Sequence, residues 1–214
     1  MADKQILFSA PMVRALLDGR KTQTRRVMPR EHPKFPAFDQ LSMDVLIFDP
    51  EKPEAWYWDG VHGGVGASYG IRCAVGDCLW VRECFAVSGI GWGKKPKDAR
   101  GGKVHYRADP DHGWQDYWGS WRPSIHMPRW ASRLTLIVTD VRVQRLQEIS
   151  RGDAMAEGCP FSNMADGPNP CDWFADLWNS INGPEAWDAN PWVAAYSFRV
   201  IRANIDSEAV GDAL

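Results

Sequence analysis

No apolar run in this chain approaches the roughly 20 residues that a membrane span requires, so no membrane partner is expected. No apolar core follows Met1-Ala2-Asp3-Lys4, which argues against secretion and for a cytoplasmic protein. Neither sign of charge dominates: 25 Lys and Arg face 27 Asp and Glu, a formal −2. That balance excludes a protein that coats duplex nucleic acid by charge alone, but leaves room for a local basic site. C-x-x-C pairs are absent. The five cysteines, Cys73, Cys78, Cys84, Cys159 and Cys171, are odd in number, which favours free thiols in a reducing compartment. The spacing Cys73-x4-Cys78-x5-Cys84 misses the usual zinc patterns, and His62, His105, His112 and His126 are scattered, so neither metal nor cofactor is expected. Internal repeats and low-complexity tracts are also missing.

What is present is an ordinary globular composition, 44% hydrophobic and 24% charged, over 214 residues. That length suits one domain carrying large insertions. Trp is abundant, at 12. Its concentration between Trp56 and Trp130 points to something that must be covered or gripped there.

The pattern predicts a short strand over residues 5–8. Ser9 is then placed as a helix N-cap with Pro11 in the first turn, and Met12, Val13, Leu16 and Leu17 follow at helical spacing. Gly19 is placed to end that helix in the left-handed conformation. Residues 28–72 read as an inserted arm: three prolines, a hairpin around Asp49–Pro53, then a Gly-rich stretch. After the turn at Gly76-Asp77, Cys78–Phe85 alternates as a strand, with Trp80 and Arg82 on one face. Residues 87–124 read as a second insertion with a local positive excess. Leu134–Leu146 is a long strand with a phase slip near Asp140. Ser150-x-x-Asp153 opens a short helix that Gly158 closes. Asp172–Ile181 is a second helix, with Trp173, Phe174, Leu177 and Trp178 as its buried face. A closing strand runs from Trp192 to Val200. The core is thus about 4–27, 74–86, 125–158 and 170–203, with 204–214 as a tail. Mixed α+β with a small curled sheet or barrel is the expected class.

The densest chemical cluster runs from Gly19 to Arg26: one lysine, two threonines and three arginines in a loop just past a helix end. The motif Gly19-x-Lys21-Thr22-x-Thr24-x-Arg26 resembles the signature loop of the ASCH domain family. Gly76-Asp77-x-Leu79-Trp80-Val81, the long strand Leu134–Val143, the short helix Ile149–Gly158 and the closing Tyr196–Val200 resemble further family segments, in the expected order. Trp80-Val81-Arg82-Glu83 and Pro123–Pro128 resemble stretches in ASCH-domain proteins of phages and prophages. The resemblance implies a PUA-like small β-barrel with short helices, here carrying two large inserted arms.

One branch of that family consists of amidohydrolases that remove the acyl group from N(4)-acetylcytidine. The resemblance implies Thr24 as nucleophile, Lys21 as proton acceptor and Glu157 as proton donor. A threonine hydroxyl needs a base to take its proton, and a lysine serves only when burial or neighbouring positive charge lowers its pKa. Arg25 and Arg26 could supply such charge, and the backbone N–H groups of the loop are candidates for an oxyanion hole. Gly19, Thr22, Arg25, Arg26, Trp80, Arg82 and Glu83 are the expected substrate-binding residues. Glu83 is the rival carboxylate, on a strand face otherwise apolar.

The small amidohydrolases lack the two insertions. Trp56, Trp58, Trp92, Trp114, Trp118 and Trp121, with the basic run Lys94–Arg107, could instead stack single-stranded RNA or a modified base, or form a satellite core. The expected partner is a modified nucleoside or single-stranded RNA. A binding module without catalysis is the alternative, with a ribonuclease or a phage structural protein behind it.

Overall fold

A computed structural model describes residues 2–28, 46–48, 55–58, 68–70, 72–89, 100–110, 121–161 and 167–213. The class is mixed α/β. A five-stranded sheet has the order β1 (Asp3–Leu7), β6 (Cys78–Arg82), β9 (Thr135–Arg145), β10 (Trp192–Ile201), β2 (Gln23–Val27). Within it β1 pairs parallel to β6, while β6 with β9 and β10 with β2 pair antiparallel. Its edges are β1 and β2, so among the described residues it is an open sheet and not the closed barrel that the sequence suggested. The chain divides into two compact units, 1–22 with 76–137 and 198–214, and 23–75 with 138–197.

In the first unit, Ser9 precedes helix α1 (Ala10–Leu17), Pro11 sits in its first turn, and Gly19 ends it at φ +76°. Only a residue without Cβ adopts that φ at no steric cost. The continuous burial of Cys78–Val81 shows that β6 is covered on both faces, where alternation predicted one. Trp80 and Cys78 pack with Ile137, Ile205 and Val210. The last two come from the segment read as a tail. That segment forms a helix, α4 (Glu208–Gly211), that caps the Trp80 face. Burying a Trp or Ile side chain contributes roughly 1.5–3 kcal/mol or more each, so this segment is part of the core. The strand expected over Cys78–Phe85 is broken after Arg82, and Phe85 starts a hairpin, β7 (Phe85–Ser88) with β8 (Lys103–Tyr106), in which Phe85 packs with Met127 and Ala131. Arg129 holds both Asp3 and Asp206, at 2.6 and 2.7 Å.

Strand β9 is buried over Thr135–Val138, and the exposed Thr139 and Asp140 mark the expected slip. Ser150 caps helix α2 (Arg151–Ala156) by accepting the Asp153 N–H. Helix α3 (Pro170–Asn182) starts two residues earlier than the apolar pattern suggested, because Asn169 caps it and Pro170 fits its first turn. Phe174 and Trp178 pack with Leu146, Ile149, Ala154 and Val193. Trp173 and Leu177 are only half-buried against that cluster. In the first arm, β3 (Leu46–Phe48), β4 (Ala55–Trp58) and β5 (Ser68–Gly70) form a three-stranded antiparallel sheet. The hairpin was expected, but its third strand comes from the Gly-rich stretch.

No described helix is long and apolar enough to cross a membrane. All five cysteines are free.

Candidate functional site

The signature loop divides into exposed and buried positions. After α1, the N–H groups of Arg20 and Lys21 both donate to the Ala15 carbonyl at 3.0 Å. That tight turn leaves Gly19 and Thr22 exposed and turns Lys21 inward, where it is wholly buried. Its Nζ lies 5.6 Å from the centroid of the Phe8 ring, within cation–π range. Burying an ammonium costs several kcal/mol unless its surroundings compensate, so such a position is one a fold must support. Thr22 accepts the Phe198 N–H through its carbonyl at 2.9 Å.

The next four residues open β2, an edge strand paired with β10. Successive strand side chains leave on opposite faces. Gln23 and Arg25 therefore share one face, Thr24 and Arg26 the other. On the first face Arg25 has no exposed side-chain surface. Its Nη1 donates to Glu157 Oε1 at 3.0 Å and to Gln23 Oε1 at 2.6 Å, and its guanidinium lies over Phe174. Gln23 in turn donates to Asp153 and Ser197. Burial alone would raise the Asp153 carboxyl. Hydrogen bonds from Arg142, Gln23 and Ser150, with the charge of Arg25, outweigh it and hold Asp153 at about 2.

On the second face the Thr24 hydroxyl is buried and accepts from Arg26 Nη1 at 2.8 Å. Arg26 Nη1 also reaches the Arg25 carbonyl at 3.0 Å. Burial pulls the Arg26 guanidinium below its ordinary value, opposed by the charge of Glu157 and reinforced by that of Arg72. Tyr196 stands directly across the ladder from Thr24. Burial pushes its phenol up to about 12, although its hydroxyl accepts the N–H groups of Arg72 and Cys73. Glu157 is the C-cap of α2, buried, and acts on arginines of both faces.

The structure thus joins Glu157 to Arg25 and Thr24 to Arg26. It separates Arg25 from Arg26, which adjacency in sequence had grouped. The other expected binding residues belong to the first unit and have structural partners. Trp80 is a core residue. Arg82 lies over the Trp80 ring, donates to the Ser124 carbonyl at 3.0 Å, and also holds Gln5 and the Ile125 carbonyl. Glu83, 1% exposed, is gripped by Arg133 through two bonds of 2.9 and 3.1 Å. Burial raises its carboxyl and Arg133 opposes that rise. Arg133 also pairs with Asp109 at 2.7 Å and stacks on Tyr106 at 3.9 Å.

Trp92, Trp114, Trp118 and the lysines 94, 95 and 97 lie outside the described residues. Trp121 is half-buried, while Arg100, Lys103 and Arg107 are exposed. Among the described residues no group of three His, Cys, Asp or Glu could hold a metal ion.

The sequence reading missed Gln23, Asp153, Tyr196 and Arg72 as members of this neighbourhood. In the sequence Asp153 stands out only as a capping residue of the short helix. Tyr196 was visible as a strand position, and its place across from Thr24 follows from strand pairing. Comparison with protein-family models, with curated proteins and with solved structures finds no match.

Proposed function

We propose that the chain is an ASCH-type amidohydrolase of PUA-like fold that removes the acyl group from an N(4)-acylated cytidine or a related modified nucleoside. The roles follow the resemblance: Thr24 attacks, Lys21 takes its proton, and Glu157 protonates the leaving nitrogen. One observation carries the reading. The buried Thr24 hydroxyl accepts from Arg26 at 2.8 Å, so its own proton remains to be given away. A guanidinium on that oxygen also stabilises the negative charge that develops when the proton leaves.

The steps balance. Lys21 accepts the Thr24 proton as oxygen adds to the acyl carbon. The C–N bond breaks, Glu157 gives its proton to the nitrogen, and an acyl-threonine ester remains. Water then adds to the ester carbonyl and gives a proton to Glu157; the bond between the acyl carbon and the Thr24 oxygen breaks, Lys21 returns its proton to that oxygen, and the acyl group leaves as the carboxylic acid.

The second reading, a nucleotide-binding module without catalysis, draws on the same arginine, since a guanidinium fixed by a threonine is preset to bind an anion. The test is turnover of N(4)-acetylcytidine at neutral pH, followed by its conversion to the cytidine spectrum. The Lys21→Met variant keeps the buried volume and removes the base. Turnover is expected to fall by about 10²–10⁴-fold in it, with an unchanged far-ultraviolet spectrum. Full activity in that variant would overturn the assignment.

A further inference from the structure

The sequence groups Arg25 with the substrate-binding residues, yet its side chain has no exposed surface to offer a substrate. Its contacts are internal. Nη1 donates to Glu157 Oε1 at 3.0 Å and to Gln23 Oε1 at 2.6 Å, Nη2 lies 3.4 Å from Asp153 Oδ2, and the guanidinium rests over Phe174. Asp153 belongs to α2 and Glu157 is its C-cap, a spacing of i and i+4 that places both on one side of the helix. Two carboxylates from one helix therefore clamp a single guanidinium of β2. The clamp is braced further out. Gln23 donates to Asp153 Oδ1 and Ser197 Oγ, and Arg142 donates to Asp153 Oδ1 at 2.7 Å.

Stability alone is poorly served by a guanidinium at this position. The attraction within a buried ion pair often fails to offset the desolvation of both charges, and an apolar side chain packs in such a place at less cost. Nε and Nη2 of Arg25 also make no hydrogen bond, which adds to the cost of burying them. What the clamp supplies is direction.

We propose that Arg25 is a positioning residue for Glu157. This rests on the reading of Glu157 as the group that protonates the leaving nitrogen. With Nη1 on Oε1, that oxygen serves as the carbonyl oxygen of the carboxyl, and the proton that Glu157 gives and regains is carried by Oε2. The rotation of the carboxyl is set through Arg25 by Gln23 and Asp153. Arg25 touches neither substrate nor reacting atoms and acts only through Glu157.

The test compares kcat and KM on N(4)-acetylcytidine in the wild type, Arg25→Lys, Glu157→Gln and the double variant, with melting temperatures to verify the fold. Lysine keeps a positive charge between the two carboxylates but lacks the planar fork. Arg25→Lys is expected to lower kcat by about 10–100-fold while KM stays within about twofold. The double variant is expected to be no slower than Glu157→Gln, since no carboxyl proton is then left to direct. Should Arg25→Lys fail to fold, Gln23→Leu replaces it. That change frees one tie on Nη1, leaves the bond from Arg25 to Glu157, and is expected to show the same split between kcat and KM at a smaller size.

An unchanged kcat in the folded variant would overturn the proposal and leave the reaction standing. A loss that falls on KM would make Arg25 a substrate contact, and losses that multiply in the double variant would make it independent of Glu157; either outcome overturns the proposal alone. Full activity in Glu157→Gln would remove the proton donor and the proposal with it, with Thr24 and Lys21 untouched. No turnover in the wild type would sink the amidohydrolase reading and the proposal together.

Discussion

Replacing Arg133 by Ala tests the Glu83 knot in the first unit. Glu83 is 1% exposed and receives two charge-assisted hydrogen bonds from Arg133. Removing one member of a buried ion pair leaves the other charge uncompensated, at a cost of about 3–5 kcal/mol. The Arg133 side chain is 23% exposed, so water reaches part of the pair and the lower end applies, about 3 kcal/mol. For a chain of this size that lowers Tm by roughly 6–12 °C. The pH dependence is the sharper readout. Burial already raises the folded-state Glu83 carboxyl above its ordinary value, and Arg133 opposes this. Without Arg133 the folded value rises further, so the folded variant binds a proton that the unfolded chain releases. Stability from such a group is complete below the unfolded value and is lost as pH rises through the folded one. The deficit of the variant is therefore expected to be largest near about pH 8 and to shrink towards about pH 5. Urea unfolding at both values measures it. A deficit under about 1 kcal/mol, or one that grows on acidification, would show that Arg133 does not compensate a buried Glu83 charge.

Asp153, held at about 2, has a depressed folded value, so its contribution is present above the unfolded value and lost as pH falls towards 2. Asp153→Asn is expected to cost roughly 2 kcal/mol at neutral pH and to flatten the acid limb of the stability curve, as read by denaturation between about pH 6 and 2. Thr24→Ser should retain measurable turnover while Thr24→Val abolishes it, since the first keeps an ionisable hydroxyl and the second only its shape. Equal activity in the two would remove the nucleophile. A chain ending at Ala203 loses Ile205 and Val210 from the Trp80 cluster and is expected to unfold at a temperature lower by about 10 °C or more.

Local chemistry made much of the frame legible. Ser9, Pro11 and Gly19 delimit α1, and Ser150 caps α2, because these signals act within one turn of chain. Features set by what covers an element were not legible. The strands β6 and β10 have stretches buried on both faces, so alternation misjudged which side chains are core. The helix α4 follows a strand end and has too few apolar residues to stand out until Trp80 is seen beneath it. The sequence drew attention to residues 19–26, but adjacency misled about function. Arg25 and Arg26 are neighbours in the chain and point apart on an edge strand. Likewise Glu157 meets Arg25 across 132 positions, a distance no local motif reports.

Neither compact unit is a continuous stretch of chain. The first is assembled from residues 1–22, 76–137 and 198–214, and the second from 23–75 and 138–197. On a ribosome, β1 emerges early, yet its parallel neighbour β6 arrives 75 residues later, at Asp3↔Cys78. Residues Ile205 and Val210 come later still. The first unit cannot close until nearly the whole chain is free, so loop closure rather than local helix formation should set the pace of folding. No single cut isolates either unit. Excising one as an independent fragment requires joining segments that are separate in the chain, and a truncation after Ala203 that spares every residue around Thr24 still removes Ile205 and Val210 from the first unit.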